Sequence, residues 1–146
     1  FACVGTALRM YHVMGVERTM ERNRQMAEEM GAYLAALWGT QTLAPKCMQG
    51  SFMSTIQLPM NAECSGFVFG TRHQCQECDH LRDVLLRQFQ IEASMIFHYK
   101  GRLWIRISCQ VYNVKEDYEA LGAAILALTK DSKRAKETPT DDNGAE

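Results

Sequence analysis

The segment RLWIRISC, residues 102–109, constrains the fold more than any other part of the sequence, because every second side chain in it is apolar. A pleated strand points successive side chains to opposite faces of its sheet. One face of this strand would carry Leu103, Ile105, Ile107 and Cys109. The other face would carry Arg102, Trp104, Arg106 and Ser108. The first set predicts a core-facing surface, whereas the second is either open to water or part of a binding site.

Two further segments have strand character. ASMIFHY, residues 93–99, directly precedes this strand, and the two residues between them, Lys100 and Gly101, are enough to close an antiparallel hairpin. Upstream, FMSTIQLP also alternates, and its proline ends the pattern at position 59. Three strands predict a small, mainly antiparallel sheet.

Helical periodicity surrounds the strands. Four segments show it, at residues 2–14, 16–38, 75–89 and from about 113 to 129. Gly15 separates the first two segments, and Asn113 stands three residues before Glu116, which is the spacing of a capping box. The element order α-α-β-α-β-β-α predicts an α+β fold in which helices pack on the sheet.

Composition fits one domain. The chain has 146 residues, of which 47% are apolar, so it can bury a core over residues 1–130. Residues 131–146 contain no large apolar side chain, which predicts a disordered tail. The net charge of −1 predicts no general attraction to nucleic acid or to an anionic membrane, and no apolar run is long enough to span a bilayer.

The six cysteines are irregularly spaced, which favours free thiols in a reducing compartment and so a cytoplasmic protein. Cys75 and Cys78 lie in RHQCQECDH at C-x-x-C spacing, near His73 and His80, which raises the possibility of a zinc site. On a helix, however, His80 would point away from both cysteines, and no second cysteine pair supplies the other ligands. Two buried thiols on a helix face are the favoured interpretation, ahead of zinc or a redox pair.

Arg106 is the candidate functional residue on the polar face of the RLWIRISC strand. From periodicity alone, it would simply face water. The alternative is an anion site, because a guanidinium offers a planar fork of donors that matches a carboxylate.

The segment RISCQVYNVKEDYEAL, which begins at Arg106, resembles the C-terminal signature of class V aminotransferase-fold enzymes, which depend on pyridoxal phosphate (PLP). More narrowly, the chain resembles the isopenicillin N epimerase-like and plant-type cysteine desulfhydrase-like branch of that family. Supporting segments are LWGTQTLAPKCMQGSFMSTIQLP, LRDVLLRQFQIE and GRLWIRIS, and the resemblance extends over residues 1–128. It implies the small C-terminal domain of a fold-type I PLP enzyme, in which the long helix at 16–38 connects this domain to the preceding one.

The resemblance also implies residue roles. In this family, the arginine of the Arg-x-Ser strand binds the α-carboxylate of the amino acid substrate, which assigns that role to Arg106. Ser108, Tyr112 and Asn113 match the same motif and would support it, Ser108 locally and Asn113 as a helix cap. Binding through a fixed arginine orients the substrate over the cofactor, which takes up electrons from the reacting carbon.

The family holds PLP through a lysine that follows a histidine in an upstream large domain, and no lysine of this chain follows a histidine. The resemblance therefore implies that the chain is a C-terminal portion, with no catalytic or cofactor-binding residue of its own and no activity alone. The first residue, Phe1, lies in a predicted helix without an initiator Met, which fits that expectation. The complete enzyme would be a homodimer, as its relatives usually are.

Several reactions stay open at this point: an epimerase, a lyase such as a desulfhydrase, or an aminotransferase-like enzyme. The resemblance also leads us to reject a persulfide route, because persulfide-forming enzymes of this family carry a nucleophilic cysteine on a loop before the arginine strand, and residues 91–105 contain no cysteine. The alternative is a stand-alone α+β binding or interaction module without catalysis. An enzyme portion predicts exposed apolar surface on the first helix and Arg106 in a cleft, whereas a stand-alone module predicts a polar first helix and a solvated Arg106.

Overall fold

A computed structural model describes residues 2–48, 50–60, 76–93 and 95–137. The helices and strands, in chain order, are α1 (Ala2–Met14), α2 (Val16–Trp38), β1 (Met53–Gln57), α3 (Gln76–Phe89), β2 (Ile96–Tyr99), β3 (Arg102–Ser108) and α4 (Lys115–Glu137), with a short 3₁₀ turn at Lys46–Met48 between α2 and β1. The α-α-β-α-β-β-α order and the α+β class predicted from the sequence are confirmed. Gly15 separates the first two helices, as predicted.

The three strands form one antiparallel sheet in the order β1-β3-β2. Ile105 in the central strand pairs with Ile56 of β1 on one side and with Ile96 of β2 on the other. The predicted hairpin between β2 and β3 is confirmed, and both of its turn residues have positive φ, 50° at Lys100 and 73° at Gly101. Positive φ at both turn positions matches the right-handed twist of the strands.

The core lies between one face of this sheet and the helices. The predicted core face of β3 is confirmed, because Leu103, Ile105, Ile107 and Cys109 are all at most 5% exposed. Helix α2 crosses β1 and β3 closely, since a Cβ atom at Gly31 would overlap the side chain of Ser54. Helix α4 packs on α2 and α3 packs beside β2. The core thus joins all three strands to three of the four helices.

The opposite face of β3 differs from a simple solvated surface. Trp104 is only 4% exposed, its indole nitrogen donates to the Tyr99 carbonyl oxygen at 3.1 Å, and its ring meets the Tyr99 ring edge-on. An aromatic side chain of this size buries apolar area even on a face that alternation assigns to polar residues. Arg106, two residues further on, is partly buried on the same face.

Two boundaries differ from the sequence prediction. Strand β2 begins at Ile96 rather than at 93. Helix α4 continues to Glu137, so the segment predicted as a tail from 131 starts as helix, and residues 138–146 lie outside the described residues. Polar and charged residues of good helix propensity can extend a helix beyond the part that packs.

The possible zinc ligands are only partly described. Cys78 is buried and His80 is exposed, as the helical interpretation predicts, while Cys75 and His73 lie outside the described residues. Among the residues that the structure describes, no three His, Cys, Asp or Glu side chains form a metal-binding group. No described helix is long and apolar enough to cross a membrane.

Candidate functional site

A cleft of about 350 Å³ lies at the C-terminal half of β3. Strand β2 pairs with β3 only as far as Ile105, and the next residue, Arg106, donates its amide to the carbonyl oxygen of Met95, just before β2, at 2.9 Å. Beyond that bond, the β3 edge faces the segment before β2 and the start of α4. The cleft is lined by Ile91, Glu92, Ala93, Ile105, Arg106, Ile107, Ser108, Tyr112, Asn113, Asp117, Tyr118 and Leu121. We call it the β3 cleft.

All four residues singled out from the sequence line the β3 cleft: Arg106, Ser108, Tyr112 and Asn113. Arg106 is partly buried, and its Nε atom is fully buried without a hydrogen-bond partner in the described part of the chain. Buried polar atoms of native proteins nearly always have a partner, so this donor is the unusual feature of the cleft. The structure thus brings the predicted residues together around a guanidinium with unused hydrogen-bonding capacity.

The end of β3 is fixed to α4 by Tyr118. Its hydroxyl donates to the Ser108 carbonyl oxygen at 3.1 Å and lies 3.0 Å from the Cys109 sulfur. Burial raises the pKa of the Cys109 thiol, and burial together with the contact to Cys109 raises the pKa of Tyr118. Both groups therefore stay neutral at physiological pH, and they anchor the strand that carries Arg106.

Residues 110–113 form the tight turn that connects β3 to α4, and we call it the 110–113 turn. The Gln110 carbonyl oxygen accepts from the Asn113 amide at 3.0 Å, and the Asn113 side-chain oxygen accepts from the Gln110 amide at 3.0 Å. The side chain of Asn113 thus closes the turn instead of capping the helix. The turn presents Tyr112 and Asn113 to the cleft, and Tyr112 is 77% exposed at its rim.

The predicted capping box of Asn113 and Glu116 is therefore wrong. Helix α4 begins at Lys115, and Asp117 occupies its third position. The Asp117 carboxylate accepts from the Val114 amide at 3.0 Å and from the Asn113 side-chain nitrogen at 3.3 Å. Asp117 therefore plays the part that the sequence assigns to Glu116, one residue later in the chain. The shift arises because the side-chain oxygen of Asn113 is bonded within the turn.

Arg22 of α2 is a residue that sequence reasoning missed. Its guanidinium donates to the Gln110 carbonyl oxygen at 3.0 Å, to the Asn113 carbonyl oxygen at 2.8 Å and to the Asn23 side-chain oxygen at 3.3 Å. The turn is 88 to 91 positions away in sequence, so no local pattern signals this contact. On the printed sequence, Arg22 looks like one more charge on the solvated face of α2.

No lysine lines the β3 cleft among the described residues. The two acidic residues that do line it, Glu92 and Asp117, are exposed. The part of the chain that the structure describes therefore offers a cation for an anionic group, but no amine at this cleft that could form a Schiff base with an aldehyde cofactor.

Comparison with known proteins gives relatives of one kind. A protein of Oryza sativa subsp. japonica is 34% identical over 80% of this chain, and one of Arabidopsis thaliana is 35% identical over 80% of it. The names of both carry L-cysteine desulfhydrase as a provisional assignment, and the Arabidopsis name adds chloroplastic. A second Arabidopsis protein, named L-cysteine desulfhydrase, is 31% identical over 86% of this chain.

The matched region is a small part of each relative. It spans 26% of the rice protein and 24% and 29% of the two Arabidopsis proteins, so the chain spans about a quarter of the length of the curated relatives it matches. No family model matches the chain. By sequence, the chain is thus a relative of one part of plant proteins that are named L-cysteine desulfhydrase.

Proposed function

We propose that this chain is the C-terminal domain of a PLP-dependent, class V aminotransferase-fold enzyme, and that Arg106 binds the α-carboxylate of its amino acid substrate. One observation carries the proposal: the buried Nε donor of Arg106 has no partner among the described residues, in a cleft that the three other motif residues line. Ser108, Tyr112 and Asn113 form the walls around the bound carboxylate.

The chemistry of the guanidinium supports a carboxylate as the ligand. A buried donor without a partner costs about 1–3 kcal/mol, and a bound anion would remove that cost. Arginine presents parallel N–H groups that a carboxylate accepts in a bidentate manner, so binding also fixes the orientation of the ligand. A fixed carboxylate is what an enzyme needs in order to align the bonds at the neighbouring carbon.

The relatives support an amino acid substrate and a lyase reaction. Their names specify L-cysteine and desulfhydrase, and we extend both to this chain as the first choice among the reactions that the resemblance leaves open. PLP is the cofactor that this class of chemistry uses, as electron sink for the amino acid carbon. The family resemblance places the lysine that holds PLP in an upstream domain, and no lysine lines the described part of the cleft, so we assign the cofactor to another part of a longer protein.

Helix α1 favours a domain over a stand-alone module. A self-sufficient module predicts a polar α1, yet Val4, Leu8, Met10 and Val13 are 54–88% exposed. Val4 and Leu8 stand one helical turn apart on the same side of α1, and exposed apolar surface of this kind often marks a contact with another domain or subunit. The partial burial of Arg106 points the same way, because a stand-alone module predicts an arginine that simply faces water. A homodimer of the complete enzyme remains a prediction.

The test uses the complete open reading frame that encodes this chain. The purified protein is expected to show visible PLP absorption that changes when L-cysteine is added. Arg106→Ala should raise the concentration of L-cysteine that gives the half-maximal change by roughly 10- to 100-fold, the equivalent of one charge-assisted hydrogen-bonded contact. Arg106→Lys should recover only part of the loss, because lysine keeps the charge but not the planar fork.

Arg102→Ala is the matched control. It removes the same side chain from the same face of β3, at an exposed position outside the cleft. Its titration should follow that of the parent. If the protein shows no PLP absorption, or if the two alanine variants titrate alike, the assignment of Arg106 fails and a binding module without catalysis takes its place.

A further inference from the structure

We infer that Arg22 is a positioning residue for the β3 cleft, holding the 110–113 turn so that Tyr112 and Asn113 stand correctly beside Arg106. This inference deepens the proposed function and rests on it. Among the described residues, no hydrogen bond joins the Arg22 side chain to Arg106, Ser108 or Tyr112. Its bonds to the turn go to the backbone carbonyl oxygens of Gln110 and Asn113, at the two ends of the turn.

The geometry of these contacts is that of a clamp. The two terminal nitrogens of Arg22 reach different carbonyl oxygens, those of Gln110 at 3.0 Å and Asn113 at 2.8 Å. Its neighbour Asn23 is 1% exposed and accepts a further bond from the same guanidinium. A planar fork that is held on the core side fixes both ends of a short turn at once, which no single-donor side chain can do.

Without Arg22, the hydrogen bonds that remain to the turn among the described residues are local in sequence. Two of them join Gln110 and Asn113 and close the turn on itself. Asn113 also contacts Asp117, so movement of the turn would reach the first turn of α4 as well. The 110–113 turn and the first turn of α4 both line the β3 cleft. Small displacements of binding groups weaken the binding of a ligand that needs defined geometry.

Arg24 provides a matched comparison on the same helix. It also makes several charged hydrogen bonds, but all of the bonds observed for it lead to Glu21 and Glu28 on α2 itself. Replacing it removes the same charge from the same helix and leaves the turn untouched. A general effect of charge on α2 would therefore appear in both variants, whereas positioning of the cleft would appear only at Arg22.

The experiment uses the complete open reading frame and compares Arg22→Gln, Arg22→Lys and Arg24→Gln with the parent. The first measurement is amide hydrogen exchange, by mass spectrometry, of peptides that cover the 110–113 turn, without amino acid. The second is the L-cysteine concentration that gives the half-maximal change in visible absorption, measured beside kcat.

Arg22→Gln is expected to speed exchange in the turn and to raise the half-maximal concentration about tenfold, with kcat changed less than that concentration, because the turn contributes to binding. Arg22→Lys should give a smaller change of both kinds, and Arg24→Gln should match the parent in both. If Arg22→Gln does not fold, the comparison between Arg22→Lys and Arg24→Gln decides.

Three outcomes overturn the inference. Faster exchange with an unchanged titration would make Arg22 a purely structural clamp, and an unchanged exchange rate would mean that it holds nothing. Equal effects of Arg22→Gln and Arg24→Gln would reduce the result to net charge. A parent protein that does not respond to L-cysteine at all is a different failure, because it removes the proposed function on which this inference rests.

Discussion

Helices α1 and α2 are consecutive, and sequence periodicity predicts both, yet the side chains of the two helices differ sharply in burial. Among the described side chains of α1, residues 3–14, none is buried. Helix α2 buries eight residues against the sheet and α4. Only Gly15 separates the two helices. The periodicity of a helix shows that it has an apolar face, but it does not show what covers that face.

This difference in burial implies that α1 and the rest of the described chain are stabilised in different ways. A helix of 13 residues is marginal in water without packing, and the contact described for α1 is with α2. In the described part of the chain, the core is formed by α2, α3, α4 and the sheet, without α1. If the chain is one domain of a longer enzyme, α1 is the element whose stability should change most when the remainder is present.

The largest expected effect comes from matched leucine truncations. Leu34 of α2 is 0% exposed and Leu8 of α1 is 57% exposed. Leu34→Ala leaves a cavity and should lower the free energy of unfolding by about 2–5 kcal/mol, whereas Leu8→Ala should change it by less than about 0.5 kcal/mol in this chain. Urea unfolding of both variants measures the difference.

The same two variants can also show that α1 and α2 do not differ. If Leu8→Ala costs as much as Leu34→Ala in the 146-residue chain, then α1 is already packed in solution and its exposed face needs no further partner. Repeating the pair in the complete reading frame sharpens the result, because there the cost of Leu8→Ala should rise if another domain covers α1.

Much of this fold was predictable, because local patterns encode it. The bounds of α1 and α2, the β2–β3 hairpin and the core face of β3 all follow from periodicity and turn chemistry. The extent of α4 beyond 130 did not follow, since its last turns have no apolar stripe to mark them. The burial of Trp104 on the polar face was also missed, because alternation says nothing about what packs on a sheet from outside.

The residues of the candidate site likewise differ in whether a local sequence pattern reveals them. Arg106 and the residues after it were found through a contiguous motif, and the cleft brings them together. Arg22 and Asp117 were missed for different reasons. The contacts of Arg22 span about 90 positions, so only the packing of α2 against the turn reveals them. Asp117 was missed because the turn closes on Asn113 and shifts the start of the helix.

A smaller effect is expected from matched glycine substitutions. At Gly31 a Cβ atom would overlap Ser54, so Gly31→Ala should lower the free energy of unfolding by about 1–3 kcal/mol. At Gly5 the nearest atom to a Cβ is the end of the Arg9 side chain at 3.9 Å, so Gly5→Ala should raise the helix content of α1 through propensity alone. Urea unfolding and far-UV circular dichroism measure the two effects. Equal destabilisation by both variants would contradict the difference in packing between α1 and α2.

The smallest effect is expected from pH, and it concerns the buried groups at the end of β3. The folded chain raises the pKa of both Tyr118 and Cys109, chiefly through burial. A raised pKa means that folding favours the protonated group, so its contribution is fully present at neutral pH. Above the ordinary values, near 9 for the thiol and 10 for the phenol, the unfolded chain loses these protons while the folded chain keeps them. Stability should therefore fall as pH rises from about 9.

Tyr118→Phe tests this assignment, because it removes the phenol and should flatten the decline in the free energy of unfolding between about pH 9 and 11. Urea unfolding at several pH values measures the slope. Cys3→Ala is the control from α1, because it removes a thiol that is exposed instead of buried, and the slope should stay that of the parent. If Cys3→Ala flattens the decline as much as Tyr118→Phe does, then α1 is as enclosed as the end of β3, and the contrast between the two regions is lost.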